Sequence, residues 1–282
     1  KALPNNGHQI TIGVVRDATL VNVEEEQASP INIRNAGKTA LKDLQMRYLR
    51  NDVINAFGSV GGVNYGSATE TNKDAWLAAN SDRVLFGNSG ANNSGNDHSA
   101  SLLNVDGTND KLTRDVVSRM KRMAQTASNV NGDGIRPFKY GEDEETFVMF
   151  ADALSFRDLK ADMSTVHTDA EKRGKANPLF TGTTSLYWDG VVIREVPEIA
   201  GLGGVGAAAA TVSPVYLCGT QALGVAWGMR TKTTVRKEDD YGFKYGVGFM
   251  EMRGVNKILY GSGASAKQWG MVTGYVAAAA DS

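Results

Sequence analysis

Three glycines in the stretch EIAGLGGVGAAAATVSP, Gly201, Gly203 and Gly206, reproduce the G-x-G-x-x-G spacing of a dinucleotide-binding turn, and they follow a strand-like run at 191–196. The chemistry behind that spacing is phosphate binding. Glycines let the backbone approach a pyrophosphate, and the helix that follows aims its free N–H groups at the anion. Here the context is missing. The alanines 207–210 make one helical turn before Ser213 and Pro214, and no Asp or Glu between Glu198 and Glu238 is available for a ribose. A nucleotide-binding enzyme acting through Gly201–Gly206 is therefore kept only as a third reading.

Other reactive groups fare no better. His8, His98 and His167 are far apart, and no His or Cys stands at a zinc-ligand spacing. Gly87-Asn88-Ser89-Gly90 lacks the spacing of a nucleophile elbow. NVNGDG at 129–134 faintly resembles a calcium loop, but its twelfth position would be Tyr140 rather than a bidentate Glu, so a turn is expected. The acidic run Glu142–Glu145 reads as a solvated loop, since acid–base pairs need carboxylates converging in a cleft. Cys218 is the only cysteine, which excludes an internal disulfide, suits a reducing cytoplasm and points to buried packing. No catalytic residue, metal or cofactor is expected. Shape would be the product of such a chain.

The bulk properties agree. The chain has 282 residues, 41% apolar and 22% charged, with 30 basic residues against 31 acidic ones. So balanced a charge sets up no strong field to attract nucleic acid or anionic lipid. The longest uncharged stretch, 199–229, is broken by glycines, Ser213 and Pro214, so no membrane span is expected. The chain opens at Lys1 with no signal peptide visible, so an upstream stretch is expected to have been removed or left out.

The elements that would position these residues follow from periodicity. HQITIGVVRDATLVNVEEEQ is extended and ends in Glu24–Glu26, after which Pro30 breaks the chain. Ala40, Leu41, Leu44, Tyr48, Leu49 and Val53 recur at helical spacing, predicting a long helix over 33–57 that stops at Gly58, Gly61 and Gly62. The polar tract 88–109 reads as an exposed loop. A second helix turns Leu112, Val116, Met120, Met123 and Ala127 inward, with Lys111, Arg114, Arg119, Lys121 and Arg122 around the rest. Thr146–Phe150 is a buried strand running into a helix that buries Phe156, Leu159 and Met163. Asp189-Gly190 signals a hairpin. Tyr241, Phe243, Tyr245, Val247 and Phe249 alternate with small or polar residues, predicting a strand, and 255–260 and 269–276 add two more. The order gives an α+β chain rather than a regular βαβ alternation.

Four stretches carry a resemblance: FVMFADALSFRDLKAD (147–162), RGKANPLFTGTTSLYWDGVVIREVPEI (173–199), YLCGTQALGVAWGMR (216–230) and DYGFKYGVGFMEMRGVNKILYG (240–261). In this order they resemble the major capsid proteins of tailed bacteriophages, whose Hong Kong 97-type fold is shared with encapsulin shells. The first half is similar in layout only. The resemblance implies an E-loop arm over 1–29, a peripheral domain with a long spine helix over 30–127, an axial domain over 128–238, and strands returning to the peripheral domain over 239–282. It implies self-assembly of copies into pentamers and hexamers, closing into the icosahedral head of a double-stranded DNA phage. An encapsulin compartment is the alternative.

Gly201, Gly203 and Gly206 would then form a flexible connection in the axial domain, tolerating the different backbone angles of pentamer and hexamer contacts. Glu24, Glu25 and Glu26 would meet basic residues of a neighbour, such as Lys111, Arg114 and Arg122. Portal, scaffolding and decoration proteins are further implied partners, and packaged DNA would lie against the wall without sequence-specific contact and with no membrane. The protein would be part of the virion capsid, assembled in the cytoplasm of the host bacterium.

Overall fold

A computed structural model of the chain describes residues 7–129, 134–140, 144–164, 185–261 and 263–280, with the backbone alone at 140, 144 and 237–239. The helices are α1 (Val23–Ala28), α2 (Ile33–Gly58), α3 (Glu70–Ala79), α4 (His98–Leu103), α5 (Arg114–Thr126) and α6 (Ala153–Asp162). The first six strands are β1 (Gly13–Asn22), β2 (Val84–Phe86), β3 (Phe138–Tyr140), β4 (Glu144–Ala151), β5 (Ser185–Trp188) and β6 (Val191–Glu195). The rest are β7 (Val212–Cys218), β8 (Leu223–Asp239), β9 (Lys244–Lys257), β10 (Leu259–Tyr260), β11 (Lys267–Gln268) and β12 (Met271–Ala277). The chain divides into a smaller compact unit, His8–Ala56 with Leu223–Asn256, and a larger one holding the described parts of Phe57–Ala222 and Lys257–Ser282.

In the smaller unit β1, β9 and β8 form a three-stranded sheet in that order. The long helix α2 lies within one residue of its expected span, yet it buries little in mid-course. Leu41 packs with Val247, Phe249 and Val15 in a small apolar core. Polar contacts do much of the rest. Gln45 Nε2 donates to Thr231 Oγ1 (2.6 Å) and to Glu251 Oε2 (2.7 Å), and Arg253 Nη2 donates to Asp52 Oδ2 (2.7 Å). The arm also departs from a simple extended reading. The strand ends at Asn22, and Glu24–Glu26 form the first turn of α1, where carboxylates suit the positive end of a helix.

The β8–β9 hairpin turns through Asp240, Tyr241 and Gly242, all at positive φ. Tyr241 and Phe243 therefore precede the strand and are exposed, while the expected alternation holds from Val247 onward.

The larger unit is built on a seven-stranded sheet ordered β2-β12-β7-β4-β6-β5, with β3 on β4. β4 runs parallel to β6 and β12 parallel to β2; the other pairs are antiparallel. Helices α5 and α6 pack on this sheet. Val116, Val117, Met120 and Ala124 of α5 share one core with Phe156 and Leu159 of α6, Met149, Ile193, Leu217 and Val276. A Cβ at Gly274 would meet Met120 Sδ at 3.0 Å, so glycine there lets helix and sheet approach. The Asp189-Gly190 hairpin forms as expected, with both residues at positive φ and Trp188 opposite Val191.

The tract 88–109 departs from the expected exposed loop. It contains α4, N-capped by Asp97, and buries His98, Ser101, Leu102 and Val105. Its Asn and Asp side chains satisfy the backbone locally: Asp110 accepts from the backbone N–H of Asn88 (2.7 Å) and Asp106 (2.8 Å) and from Asn92 Nδ2 (3.1 Å). Beside it stands α3, capped by Thr69, which sequence periodicity did not reveal. The middle of the calcium-like stretch (130–133), half of the acidic run (142–143) and the NPLFTG segment (177–182) lie outside the described residues, while Glu144 and Glu145 open β4 rather than a loop. Among the described residues no helix is long and apolar enough to cross a membrane.

Candidate assembly surface

The glycine stretch is a hydrogen-bonded loop rather than a phosphate cradle. Leu202 N donates to Val212 O (2.8 Å), Val212 N to Gly203 O (3.0 Å), and Gly206 N to Ala210 O (2.9 Å). Gly203 has φ +78°, and a Cβ at Gly206 would stand 2.8 Å from Val105 O. These two positions need glycine for the loop's own geometry. After Gly206 comes a single 3-10 turn with Ala208 and Ala209 at positive φ, then β7, so no helix N-terminus faces the glycines. Leu202 and Val205 pack on the cluster around Trp76, Phe86 and Tyr275.

The charged candidates split by what already holds them. Glu26 Oε2 pairs with Arg34 Nη2 at 2.7 Å, and Arg34 stacks over Tyr245 at 4.0 Å. Glu24 and Glu25 are exposed, and among the described contacts the Glu25 carboxylate accepts only a 3.3 Å bond from Asn22 Nδ2. On the other side Arg114 Nε donates to Asp162 Oδ2 (3.0 Å), and Lys121 Nζ to Asp189 Oδ1 (2.9 Å). Lys111 is half-buried, bridged through its backbone to Ala277, while Arg122 is exposed. The acidic turn belongs to the smaller unit, and Lys111, Arg114, Lys121 and Arg122 belong to the larger one.

The titratable groups of the larger unit have local structural partners. Cys218 is buried, and burial pushes its thiol up to about 12, far from thiolate chemistry. Glu70, Asp74 and Asp97 bring carboxylate oxygens within 4.8 Å of one another. Their contacts are local: Asp97 caps α4, Asp74 accepts from the His98 backbone N–H (2.8 Å), and Glu70 lies 3.6 Å from Lys73 Nζ.

His98 sits among Tyr65, Trp76, Phe86 and Tyr275 with ring centroids 5.3–6.2 Å away. Burial first, and the Lys73 ammonium second, hold its imidazole down to about 4. The fold favours the neutral ring. Its contribution to stability is therefore complete above the ordinary value near 6.5 and is lost as pH falls from there toward 4. Denaturant unfolding at pH 7.5 and 4.5 should show this as about 2–3 kcal/mol of extra acid sensitivity relative to His98→Phe. Equal acid sensitivity in the two proteins would contradict it.

Residues 5–280 match the sequence family described as phage capsid protein. The chain belongs to that family. Among solved structures, this capsid protein superposes on the capsid of cyanophage Pam1 with a TM-score of 0.85 at 34% identity, covering 96% of this chain and 76% of that one. The capsid of Ralstonia phage GP4 gives 0.72 at 16% identity, covering 100% of this chain and 82% of that one. An encapsulin complex from Synechococcus elongatus gives 0.53 at 7% identity, with 96% and 76% covered, a likeness of fold alone. None of the curated proteins matches the sequence. The α+β architecture is the Hong Kong 97-type capsid fold anticipated from the quoted stretches.

Proposed function

We propose that this capsid protein acts by self-assembly, its copies closing into pentamers and hexamers and these into the icosahedral head of a tailed double-stranded DNA phage. The observation that carries the reading is the 34% identity to the Pam1 capsid over 96% of this chain. One sequence would then make heterologous contacts that close into rings, each modest and multiplied by the number of neighbours. No catalytic role is assigned. Portal, scaffolding and decoration proteins and the packaged genome remain proposed partners, and the host cytoplasm the proposed place of assembly.

We assign the shell roles as follows. The arm through residue 29 serves as the E-loop and α2 as the spine helix. The smaller unit, in which α2 packs on the β1–β9–β8 sheet, supports reading it as the peripheral domain. The axial domain is redrawn from 128–238: it gains α5 and β12, which share one core with β4 and β7, and it gives up β8, which belongs to the smaller unit. The glycine loop contributes a fixed shape near a symmetry axis. Sedimentation of the purified protein tests the reading: particles of many subunits are expected, and a chain that stays monomeric at every salt and concentration tried would refute it. Genome-filled particles from infected cells would separate a phage head from a protein-filled compartment.

A further inference from the structure

The two faces of the β1–β9–β8 sheet differ in chemistry. The register Val14↔Met252, Arg16↔Met250, Ala18↔Gly248 and Leu20↔Gly246 sets the even-numbered residues of β1 and β9 on one side. A Cβ at Gly248 would touch Ala18 and Thr234, and one at Gly246 would touch Leu20 and Arg236, so β8 gives its even-numbered residues to the same side. The middle of the odd side is turned to α2: Thr231 and Glu251 bond to Gln45, Arg253 bonds to Asp52, and Phe249 packs with Leu41, while Val225, Trp227 and Val235 of β8 stay exposed.

The even side is apolar along β1, small along β9 and basic along β8. Ile12, Val14 and Leu20 are 45%, 56% and 57% exposed. Strand β9 contributes Gly246, Gly248, Met250 and Met252, and β8 contributes Arg230 and Lys232 beside Thr234. Arg16, Arg230 and Lys232 are exposed and form no ion pair among the described residues. Among the described side chains no acid pairs with them, and a further cation of this face, Lys244, is taken by Asp240 at 3.1 Å. Asp17 and Glu251 stand at odd positions, and β8 has no acidic residue from Leu223 to Arg236.

A face that combines exposed aliphatics with three unpaired cations fits an acidic segment bearing an apolar side chain. The same chain presents one. Glu24 and Glu25 are exposed on α1, and Ile31 just after it is 67% exposed. Their alternative partners on α5 are partly committed, Arg114 to Asp162 and Lys121 to Asp189. A nucleic-acid backbone would meet the cations but leave Ile12, Val14 and Leu20 without an apolar counterpart.

Resting on the assembly reading, we propose that the even face of the β1–β9–β8 sheet is an interface between copies, seating the Glu24–Glu25 turn and Ile31 of a second copy against Arg16, Arg230 and Lys232. Opposite charges set register and partner choice more than raw affinity, and repetition around a shell magnifies a small change at each contact.

The test compares shell yield by electron microscopy for wild type, Arg230→Glu/Lys232→Glu, that pair combined with Glu24→Lys/Glu25→Lys, and Arg122→Glu. Melting of each variant establishes that it folds. The expected result is at least a tenfold loss in Arg230→Glu/Lys232→Glu, recovery to within threefold of wild type in the four-fold variant, and little change in Arg122→Glu. A wild-type yield in Arg230→Glu/Lys232→Glu, or no recovery in the four-fold variant, overturns the proposal. So do normal empty shells that fail only to retain DNA, which would assign the face to nucleic acid. If wild type forms no shells, the assembly reading fails by itself, and sedimentation of the same proteins decides the contact. Dimers lost and restored in the same pattern support it, and monomers throughout overturn it.

Discussion

Replacing Arg253 by alanine is expected to destabilise the smaller unit by about 3–5 kcal/mol, the cost of removing one partner of a buried ion pair. Arg253 and Glu251 are 3% and 0% exposed, and their side chains approach to 2.7 Å between Nη1 and Oε1. That approach is misaligned for a hydrogen bond, so the attraction is ionic, and the Arg253 bond to Asp52 is the directional one. Without the guanidinium, the Glu251 carboxylate would keep only Gln45 and Thr231 in a site closed to water. Removing both charges together, Glu251→Leu with Arg253→Met, should cost far less, because neither buried charge is then left alone. Hydrogen exchange of the β8 and β9 amides in a denaturant titration reports on this body alone. Equal losses in the single and double variants would contradict the role given to the pair.

In the larger unit, Trp76→Ala is expected to cost about 4 kcal/mol. The ring is 1% exposed and packs with Val60, Leu77, Val84 and Phe86. With the Gln268 amide oriented to satisfy both its donors and acceptors, Trp76 Nε1 donates to it at 2.7 Å, and Lys257 Nζ donates to the same oxygen at 3.1 Å. Burial holds that lysine down to about 7, so it too depends on this polar lining. Alanine leaves a cavity and removes one of the two donors to that amide oxygen. Phenylalanine keeps most of the volume and loses only the N–H, about 1–2 kcal/mol. Calorimetry should place the alanine variant roughly 10 °C below wild type and the phenylalanine variant a few degrees below, at about 2–4 °C per kcal/mol for a body of this size. A shift under two degrees for alanine would count against the packing described.

Where one physical signal dominated, the elements were readable from residues alone. The Asp189-Gly190 turn, the apolar stripe of α5 and the strand–helix passage from β4 to α6 all appear where their periodicity put them. The long helix α2 was legible in extent, but its polar seat on Gln45, Asp52, Glu251 and Arg253 was not, because those four residues meet only through pairing across nearly the whole chain. The tract 88–109 was misjudged on composition: Asn, Asp and Ser mark loops in general, yet here they cap and bridge a compact segment that buries His98.

The even face of the smaller sheet had a signal in the alternating Arg230, Lys232 and Arg236. Its meaning depended on β1 lying beside β9, which no local pattern states. In the acidic turn Glu24 and Glu25 are exposed, while Glu26 is tied to Arg34, a contact no local pattern states.

The claim on which the account rests is that copies of this chain tile a closed surface. A symmetric reconstruction by electron cryomicroscopy of particles formed by the purified protein tests it most directly. The account predicts an icosahedral shell into which the smaller and larger units fit in every asymmetric position. Purified, folded protein that yields no closed particle under any assembly condition, or a particle whose density the two units cannot fill, would contradict it.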